Sequence, residues 1–251
     1  MLYNYHTHTT LCNHATGDER EYIENAIVGG LQTLGFADHA PYLFPDGSQS
    51  YYRMRTEQIF DYAEKIRALA KEYQNQIRIL CGFELEYYPN LHADEMAFLK
   101  QVQPDYILMG QHFLGNEELN VFRPPQRTDA LLSAYVSQAL EGLATGDFAY
   151  IAHPDVAGYD YTAEAVDKEY RRLCEGAKKL HIPLELNLLG IRSKRHYPKR
   201  KLFEIAAQVG NEIVLGTDAH DPQNVCDPAS EKVAREWVQD LGLRLIETPF
   251  I

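Results

Sequence analysis

The sequence has few cysteines: four among 251 residues, at positions 12, 81, 174 and 226. No two of them form a C-x-x-C pair, which argues against a cysteine-rich zinc module and against a redox dithiol. We therefore expect reduced thiols that behave as small apolar groups.

The chain also lacks a long apolar run. No stretch approaches the roughly 18 residues needed to cross a bilayer, and the first residues, MLYNYH, show no basic segment followed by an apolar one. We expect a cytoplasmic protein with no membrane partner.

Positive charge is scarce as well. The chain has 24 Lys and Arg residues against 36 Asp and Glu, which gives a formal net charge of −12. This charge opposes binding to a phosphate backbone, so we expect no nucleic-acid partner. One local exception is a run of basic residues within positions 192–201: Arg192, Lys194, Arg195, Lys199, Arg200 and Lys201.

The chain does contain a regular alternation of short apolar runs and longer segments of helical period. Seven runs are typical of buried parallel strands: Leu2 to Tyr5, Leu34 to Ala37, Ile77 to Phe83, Tyr106 to Met109, Phe148 to Ala152, Leu184 to Leu186 and Ile213 to Leu215. Helical period occurs at 18–32, 56–73, 94–101, 128–144, 162–180, 198–209 and 228–241. This βαβα order predicts an α/β fold with right-handed crossovers.

Two further features concern the organisation of the chain. No internal repeat or linker is found, so we expect a single domain over residues 1–251, and residues 243–247 can add an eighth strand. Residues 41–55, PYLFPDGSQSYYRMR, have no clear period and are rich in aromatic and turn-forming residues. Long loops in compact domains are usually functional or disordered, so this one is a candidate substrate-covering loop.

Histidines gather just after the predicted strands. In a barrel of parallel strands the active site is built at the carboxyl ends of the strands. Seven of the ten histidines lie there: His6, His8, His14, His39, His112, His153 and His220. Asp38, Glu84, Asn187 and Asp218 occupy equivalent positions. Independent structural histidines have no reason to prefer one end of the sheet, so the pattern predicts a multi-metal site.

The spacing of these residues suits a metal. In an H-x-H pair on a strand both imidazoles face the same side, because side chains alternate with period two, and D-x-H at 218–220 adds a carboxylate in the same way. Histidine and carboxylate without thiolate suit zinc, manganese or iron. Glu84 could bridge two ions with its two oxygens, and Glu86, which projects to the same side of the strand, is its rival.

Together these residues resemble the PHP (polymerase and histidinol phosphatase) superfamily, over nearly the whole span from His6 to His220. The chain's local sequence motifs are similar to those of the histidinol-phosphate phosphatase branch. They are FADHAP (36–41), GFELEY (82–87), GQHFL (110–114), AHPDV (152–156) and GTDAH (216–220). This branch often has a serine where the present chain has Gln111.

The resemblance implies a distorted (β/α)7, TIM-like barrel that holds three divalent ions at the carboxyl ends of its strands. The first ion would be bound by His6, His8, Glu84 and Asp218. The second would share Glu84 and add His112 and His153. The third would be bound by His14, His39 and His220. The G-x-E pattern of the family selects Glu84 over Glu86, and Cys12 is expected to be a bystander.

The resemblance also implies a reaction, the hydrolysis of L-histidinol phosphate to L-histidinol and phosphate in histidine biosynthesis. A metal-bridging hydroxide would attack phosphorus, with Asp38, His39 and Arg192 as catalytic residues. Arg192 lies in a segment that looks like the N-x-x-G-x-R segment of the branch, where an arginine meets the substrate phosphate. Ser193, Lys194 and Arg195 are further candidates for this contact. Lys199, Arg200 and Lys201 are expected to form a solvated helix face.

Other interpretations stay open at this level. An amidohydrolase-type metallohydrolase also begins with H-x-H, but it leaves His14, His39 and His220 unexplained. A phosphoesterase of the same superfamily that acts on another small ester or a nucleotide fits the residues as well. A metal-binding module without catalysis would not need both the ligand set and Arg192.

Overall fold

The computed structural model describes residues 1–158 and 161–247. These residues form α-helices and short strands in alternation. The helices are Glu19–Val28 (α1), Ile59–Glu72 (α2), His92–Leu99 (α3), Asp129–Leu143 (α4), Ala163–Lys179 (α5), Leu188–Arg192 (α6), Arg200–Val209 (α7) and Pro228–Leu241 (α8). The strands are Tyr3–Asn4 (β1), Thr33–His39 (β2), Arg78–Leu85 (β3), Tyr106–Met109 (β4), Phe113–Leu114 (β5), Leu119–Asn120 (β6), Leu184–Asn187 (β7), Glu212–Gly216 (β8) and Arg244–Leu245 (β9).

The chain packs as two compact units, and the first contains the amino-terminal strands. It consists of Met1–Leu85, Leu91–Leu108 and Gly216–Pro228. Its sheet has the order β1-β2-β3-β4, with β1 parallel to β2 and β2 parallel to β3. The register places His39 directly opposite Glu84, and a parallel bridge joins Thr7 to Ala219. His39 and Glu84, in the last residues of β2 and β3, are therefore neighbours, as are the segments of His6 and Asp218.

The second unit consists of Glu86–Asn90, Met109–Leu215 and the described part of Ala229–Ile251. Its sheet has the order β7-β8-β9, and parallel bridges join Met109 to Ile151 and Ile151 to Leu184. An antiparallel hairpin, β5-β6, follows β4.

Local sequence explains where several helices begin. Asp18 caps α1 by accepting from Arg20 N, and Glu21 reaches back to the backbone of Asp18, which completes a capping box. Thr128 and Thr162 cap α4 and α5 through their side-chain oxygens. The period of α2 predicts a buried face through Ile59, Ala63, Ile66, Ala70 and Tyr73. Of these only Ala70 is half-buried rather than buried, and Tyr62 and Leu69 widen the buried face.

The predicted elements agree closely with the structure. All seven predicted helices are present, and their observed ends differ from the predicted ones by a few residues. Strand β9 falls within the predicted eighth strand. The predicted strand from Phe148 to Ala152 is wrong in extent, because only Ile151 pairs with neighbouring strands. The β5-β6 hairpin and helix α6 were not predicted from the sequence. The single-domain organisation stays a prediction.

No helix among the described residues is both long and apolar enough to cross a membrane. All four cysteines are free thiols, and three of them are buried.

Candidate metal centre

Four side chains of the first unit converge at the carboxyl ends of its strands. His6 Nε2 lies 3.5 Å from Glu84 Oε2 and 3.6 Å from Asp218 Oδ1, and His8 Nε2 lies 3.4 and 3.3 Å from the same two oxygens. Ligand atoms that surround one ion tetrahedrally, with bonds of about 2.0 to 2.2 Å, are separated by about 3.3 to 3.6 Å. The donor set therefore fits a divalent cation in both chemistry and spacing.

Asp38 orients one of these ligands. Its Oδ1 lies 3.4 Å from Nδ1 of His8 and accepts a hydrogen bond from His39 N at 2.8 Å, and its Oδ2 accepts from the Thr9 amide and hydroxyl. A proton on Nδ1, shared with Asp38, leaves the Nε2 lone pair of His8 for an ion. These contacts support an orienting role for Asp38, and its catalytic role stays a prediction.

Charge in this pocket also favours a cation. Burial alone would lower the pKa of His8, but the carboxylates of Asp218, Asp38 and Glu84 raise it to about 9. Burial would raise the pKa of Asp218, yet the imidazoles of His6, His8 and His220 hold it well below its usual range. The carboxylates thus attract positive charge to the space that they enclose.

The loop that carries Asp218 is strained and is held by a buried amide. Asp218 has a φ of 47°, in the left-handed region that costs about 1 to 3 kcal/mol for such a residue. Asn4, which is fully buried, donates to the hydroxyls of Thr7 and Thr217 and accepts from the amides of Thr217 and His6. Asn4 therefore ties the segment of His6 to the segment of Asp218.

A second group in the same unit contains the histidines predicted for the third ion. His14 Nδ1 contacts the Cys12 carbonyl at 2.6 Å, and His220 Nδ1 lies 3.2 Å from the Asp218 carbonyl. With a proton on Nδ1 of each ring, the two Nε2 atoms carry lone pairs and lie 3.0 Å apart. Two lone pairs approach this closely only around a shared cation or proton. Burial and the charge of His8 hold the pKa of His220 well below its usual range, which keeps the ligating, neutral form.

His39 is the third histidine predicted for this ion. Its ring centroid lies 5.5 Å from that of His14 and 6.5 Å from that of His220, and its Nδ1 lies 3.2 Å from Glu84 Oε2. Cys12 is fully buried beside His14 and His220, and burial raises the pKa of its thiol. Its assignment as a bystander stays a prediction.

In the second unit, His112 and His153 lie together, with ring centroids 4.6 Å apart. Glu86 accepts from both the backbone amide and the ring Nδ1 of His112, at 2.7 and 2.8 Å. The amide of His153 donates to Glu185 Oε2 at 2.9 Å, and His153 has a φ of 29°. Glu86 thus orients the imidazole of His112, as is common for metal ligands, whereas Glu185 holds the backbone of His153.

The predicted phosphate-binding segment is also in the second unit. Asn187 ends β7 and caps α6 by accepting from Gly190 N at 3.0 Å, and Arg192 ends this helix, half-buried. Ser193 and Lys194 are exposed. Arg195 donates to Tyr197 Oη at 2.7 Å, and the Tyr197 ring lies 5.6 Å from that of His153.

The basic residues beyond this segment belong to the solvated surface. Arg200 lies 3.7 Å from Glu204 and 3.5 Å from Asp240, and Lys201 pairs with Asp167 at 2.5 Å. Both basic side chains are more than a third exposed. The expectation of a solvated face holds for these two residues.

Sequence reasoning missed the residues that position others. By sequence Glu86 is only a rival of Glu84, whereas in the structure it binds His112. Gln111 uses its amide to hold the backbone of Tyr87 and Phe113. Asn4 and Glu185 were not singled out. The available signal was a polar residue inside an otherwise apolar strand, because such a group is buried only with hydrogen-bond partners.

Comparison with known proteins agrees with the family resemblance of the sequence motifs. The sequence profile of the PHP domain matches residues 4–188. A protein from Deinococcus radiodurans named a probable histidinol-phosphatase is 28% identical over 248 residues, which cover 96% of this chain and 94% of that protein.

Two solved structures have a similar fold. A putative histidinol phosphatase from Listeria monocytogenes gives a TM-score of 0.77 at 20% identity, covering 91% of this chain and 99% of the other. The histidinol phosphate phosphatase of Lactococcus lactis, solved with zinc, L-histidinol and phosphate, gives 0.76 at 19% identity, covering 97% and 95%. The predicted α/β class, a distorted TIM-like barrel, is confirmed by this similarity.

Proposed function

Because the chain belongs to the PHP domain family, we propose that it is a metal-dependent phosphomonoesterase that hydrolyses L-histidinol phosphate to L-histidinol and phosphate. The observation that carries the proposal is the cluster of His6, His8, Glu84 and Asp218, in which the nitrogen to oxygen distances are 3.3 to 3.6 Å. The choice of substrate rests on the relative from Deinococcus radiodurans, which aligns with almost the whole chain.

Three ions, of zinc, manganese or iron, are part of this proposal. His6, His8, Glu84 and Asp218 would hold one ion, and His14, His39 and His220 another. His112 and His153 would contribute to a third, and a bridging role of Glu84 stays a prediction. When bound, such ions lower the pKa of coordinated water and neutralise phosphoryl oxygens.

The chain's own groups would orient and bind. Asp38 would fix the tautomer of His8, and Glu86 that of His112, so that each Nε2 lone pair is kept for a metal. Arg192, and Arg195 held by Tyr197, would bind the phosphate with guanidinium donors. The parts of Asp38 and His39 in protonating the leaving alkoxide stay predictions.

A phosphate-release screen tests the function. Protein reconstituted with zinc or manganese is offered a panel of monoesters that includes L-histidinol phosphate, sugar phosphates and nucleotides. We expect L-histidinol phosphate to give the highest kcat/KM, and Glu84→Gln to abolish most of the rate while the exposed Glu64→Gln leaves it unchanged. If another monoester gave a higher kcat/KM, the assignment of L-histidinol phosphate as the substrate would be wrong. If no monoester released phosphate, the assignment as a phosphatase would be wrong.

A further inference from the structure

The loop at 41–55 contacts both chain segments that carry the His14 and His39 ligands. We propose that Arg53, together with Asn13 and Tyr52, is a positioning device that assembles the His14, His39 and His220 metal site. The inference rests on the proposed function, because it takes these histidines as ligands. It gives the long loop a role in metal binding rather than in covering the substrate.

The first contact is made by the residue next to His14. Nδ2 of Asn13 donates to the carbonyls of Tyr51 and Arg53, at 3.0 and 3.2 Å. Asn13 has a φ of 64°, the left-handed conformation that ends the short 3-10 turn before His14. Both donors of one amide thus attach the segment of His14 to residues 51–53.

The second contact is made by the residue next to His39. Arg53 is 3% exposed, and its Nη1 donates to the Ala40 carbonyl at 3.2 Å. The guanidinium also donates to the Tyr52 hydroxyl and lies 5.2 and 4.6 Å from the ring centroids of Tyr42 and Tyr52. A planar group that donates and stacks at once has one allowed orientation, so Arg53 fixes the backbone just after His39.

Tyr52 touches the ligand itself. Its ring meets that of His39 edge to face, with centroids 5.8 Å apart and an interplanar angle of 88°. The three residues 51–53 therefore restrain His39 through both its ring and its backbone. They restrain His14 through Asn13, although the two histidines are 25 positions apart in the sequence.

Burying a guanidinium is costly, and the surrounding groups offset part of this cost. Glu95 is fully buried and accepts from Leu43 N at 3.1 Å, and its charge interacts favourably with that of Arg53. If the loop only had to stay folded, apolar side chains would stabilise it without the desolvation cost of a buried charge. The buried guanidinium instead gives a unique geometry, which is what two ligands on separate segments need in order to meet one ion.

Metal binding to the full-length protein tests the inference. Arg53→Lys keeps the charge but loses the planar fork, and Asn13→Gly keeps the left-handed backbone but loses both donors. Metal content after dialysis and competition with a chelator give the number of ions and their affinities. We expect one ion to bind about 10- to 100-fold more weakly in each variant, with the other ions unchanged.

Two matched variants serve as controls. Arg55→Lys changes an exposed arginine of the same loop, and Gln103→Gly places glycine at another left-handed position, with a φ of 47°. Both should bind metal as the wild type does. If Arg53→Lys does not fold, Asn13→Gly still tests the positioning role, because it removes no charge.

The outcomes separate the inference from the function. Unchanged affinities in Asn13→Gly and Arg53→Lys, or equal weakening of all ions, would overturn the positioning role while the wild type remains a phosphatase. Wild-type protein that hydrolyses no monoester, whatever its metal content, would instead overturn the function. Selective loss of one ion in the two variants, but in neither control, supports the inference.

Discussion

Glu86 accepts two hydrogen bonds from His112, one from the backbone amide at 2.7 Å and one from ring Nδ1 at 2.8 Å. The buried carboxylate therefore fixes both the position of the backbone and the orientation of the imidazole. Glu84, two residues earlier and near the end of β3, instead faces His6 and His8. Two acidic residues that look equivalent in the sequence thus contact different histidines.

The first prediction concerns this pair. Glu86→Gln replaces a charged acceptor by an amide, so His112 loses a charge-assisted hydrogen bond that holds its ligating tautomer. We expect the affinity for the ion at His112 to fall by about 10- to 100-fold, measured by chelator competition. The control is Glu141→Gln, which changes an exposed glutamate that accepts from Tyr87 Oη. An unchanged affinity in Glu86→Gln would show that the hydrogen bond does not serve metal binding.

Metal removal gives the second prediction. Chelator-treated protein should lose activity and melt at a lower temperature, because an ion present at 100 times its Kd stabilises the folded state by about 2.7 kcal/mol. Adding zinc, manganese or cobalt should restore both properties. Activity assays and thermal melts on the same samples provide the measurement. Full activity in a preparation shown to be free of metal would contradict it.

The third prediction concerns the buried amide that ties β1 to the Asp218 segment. Asn4→Ala leaves the amides of His6 and Thr217 without their side-chain acceptor, in a position that water does not reach. We expect a loss of about 2 to 4 kcal/mol in the free energy of unfolding, measured by urea denaturation. Asn90→Ala, at an exposed site, should be close to neutral. Equal stability of the two variants would refute the structural role.

Much of the fold could be predicted because hydrophobic period reports burial directly. The helix at 56–73 was found in this way, and its predicted apolar face is buried. The region from Phe148 to Ala152 misled for the same reason: it is apolar and buried, yet only Ile151 forms a bridge. Pairing depends on the neighbouring strands, which the period of one segment does not reveal.

The candidate site, too, could be predicted only in part from the sequence. Ligand candidates such as His6 and Asp218 were found because strand ends bring them to one edge and H-x-H and D-x-H have a clear spacing. Residues that act on other residues, such as Arg53 and Glu185, carry no such spacing. Their partners are backbone groups, Ala40 O and His153 N, which every residue possesses. Only the folded chain shows which of these groups a side chain reaches.

The fourth prediction is a pH dependence of stability. Burial raises the pKa of Glu95 from its ordinary 4.5 to about 7, against the opposing effects of the Leu43 amide and Arg53. The folded chain therefore binds more protons than the unfolded chain between about pH 4.5 and 7, so this group's stabilising contribution is lost as pH rises through that window. The loss is about 3 kcal/mol at most.

Denaturation of the wild type and Glu95→Gln across this range isolates the effect. The neutral glutamine can still accept from Leu43 N, so the variant should gain stability relative to the wild type as pH rises from 5 to about 8. Glu64→Gln, at an exposed position, should run parallel to the wild type. A Glu95→Gln curve that also runs parallel would show that the carboxyl titrates normally.

The fifth prediction separates the two kinds of basic residue around α6 and α7. Arg192 ends α6 and is the proposed phosphate contact, whereas Arg200 lies near Glu204 and Asp240 on the exposed side of α7. A hydrogen bond to a charged group contributes about 1.5 to 3 kcal/mol, so Arg192→Ala should weaken inhibition by inorganic phosphate by about 10- to 100-fold and raise KM in the same direction. Arg200→Ala should change neither. Equal inhibition constants for wild type and Arg192→Ala, with metal content unchanged, would remove Arg192 from the phosphate site and leave Arg195, held by Tyr197 beside His153, as the guanidinium to test next.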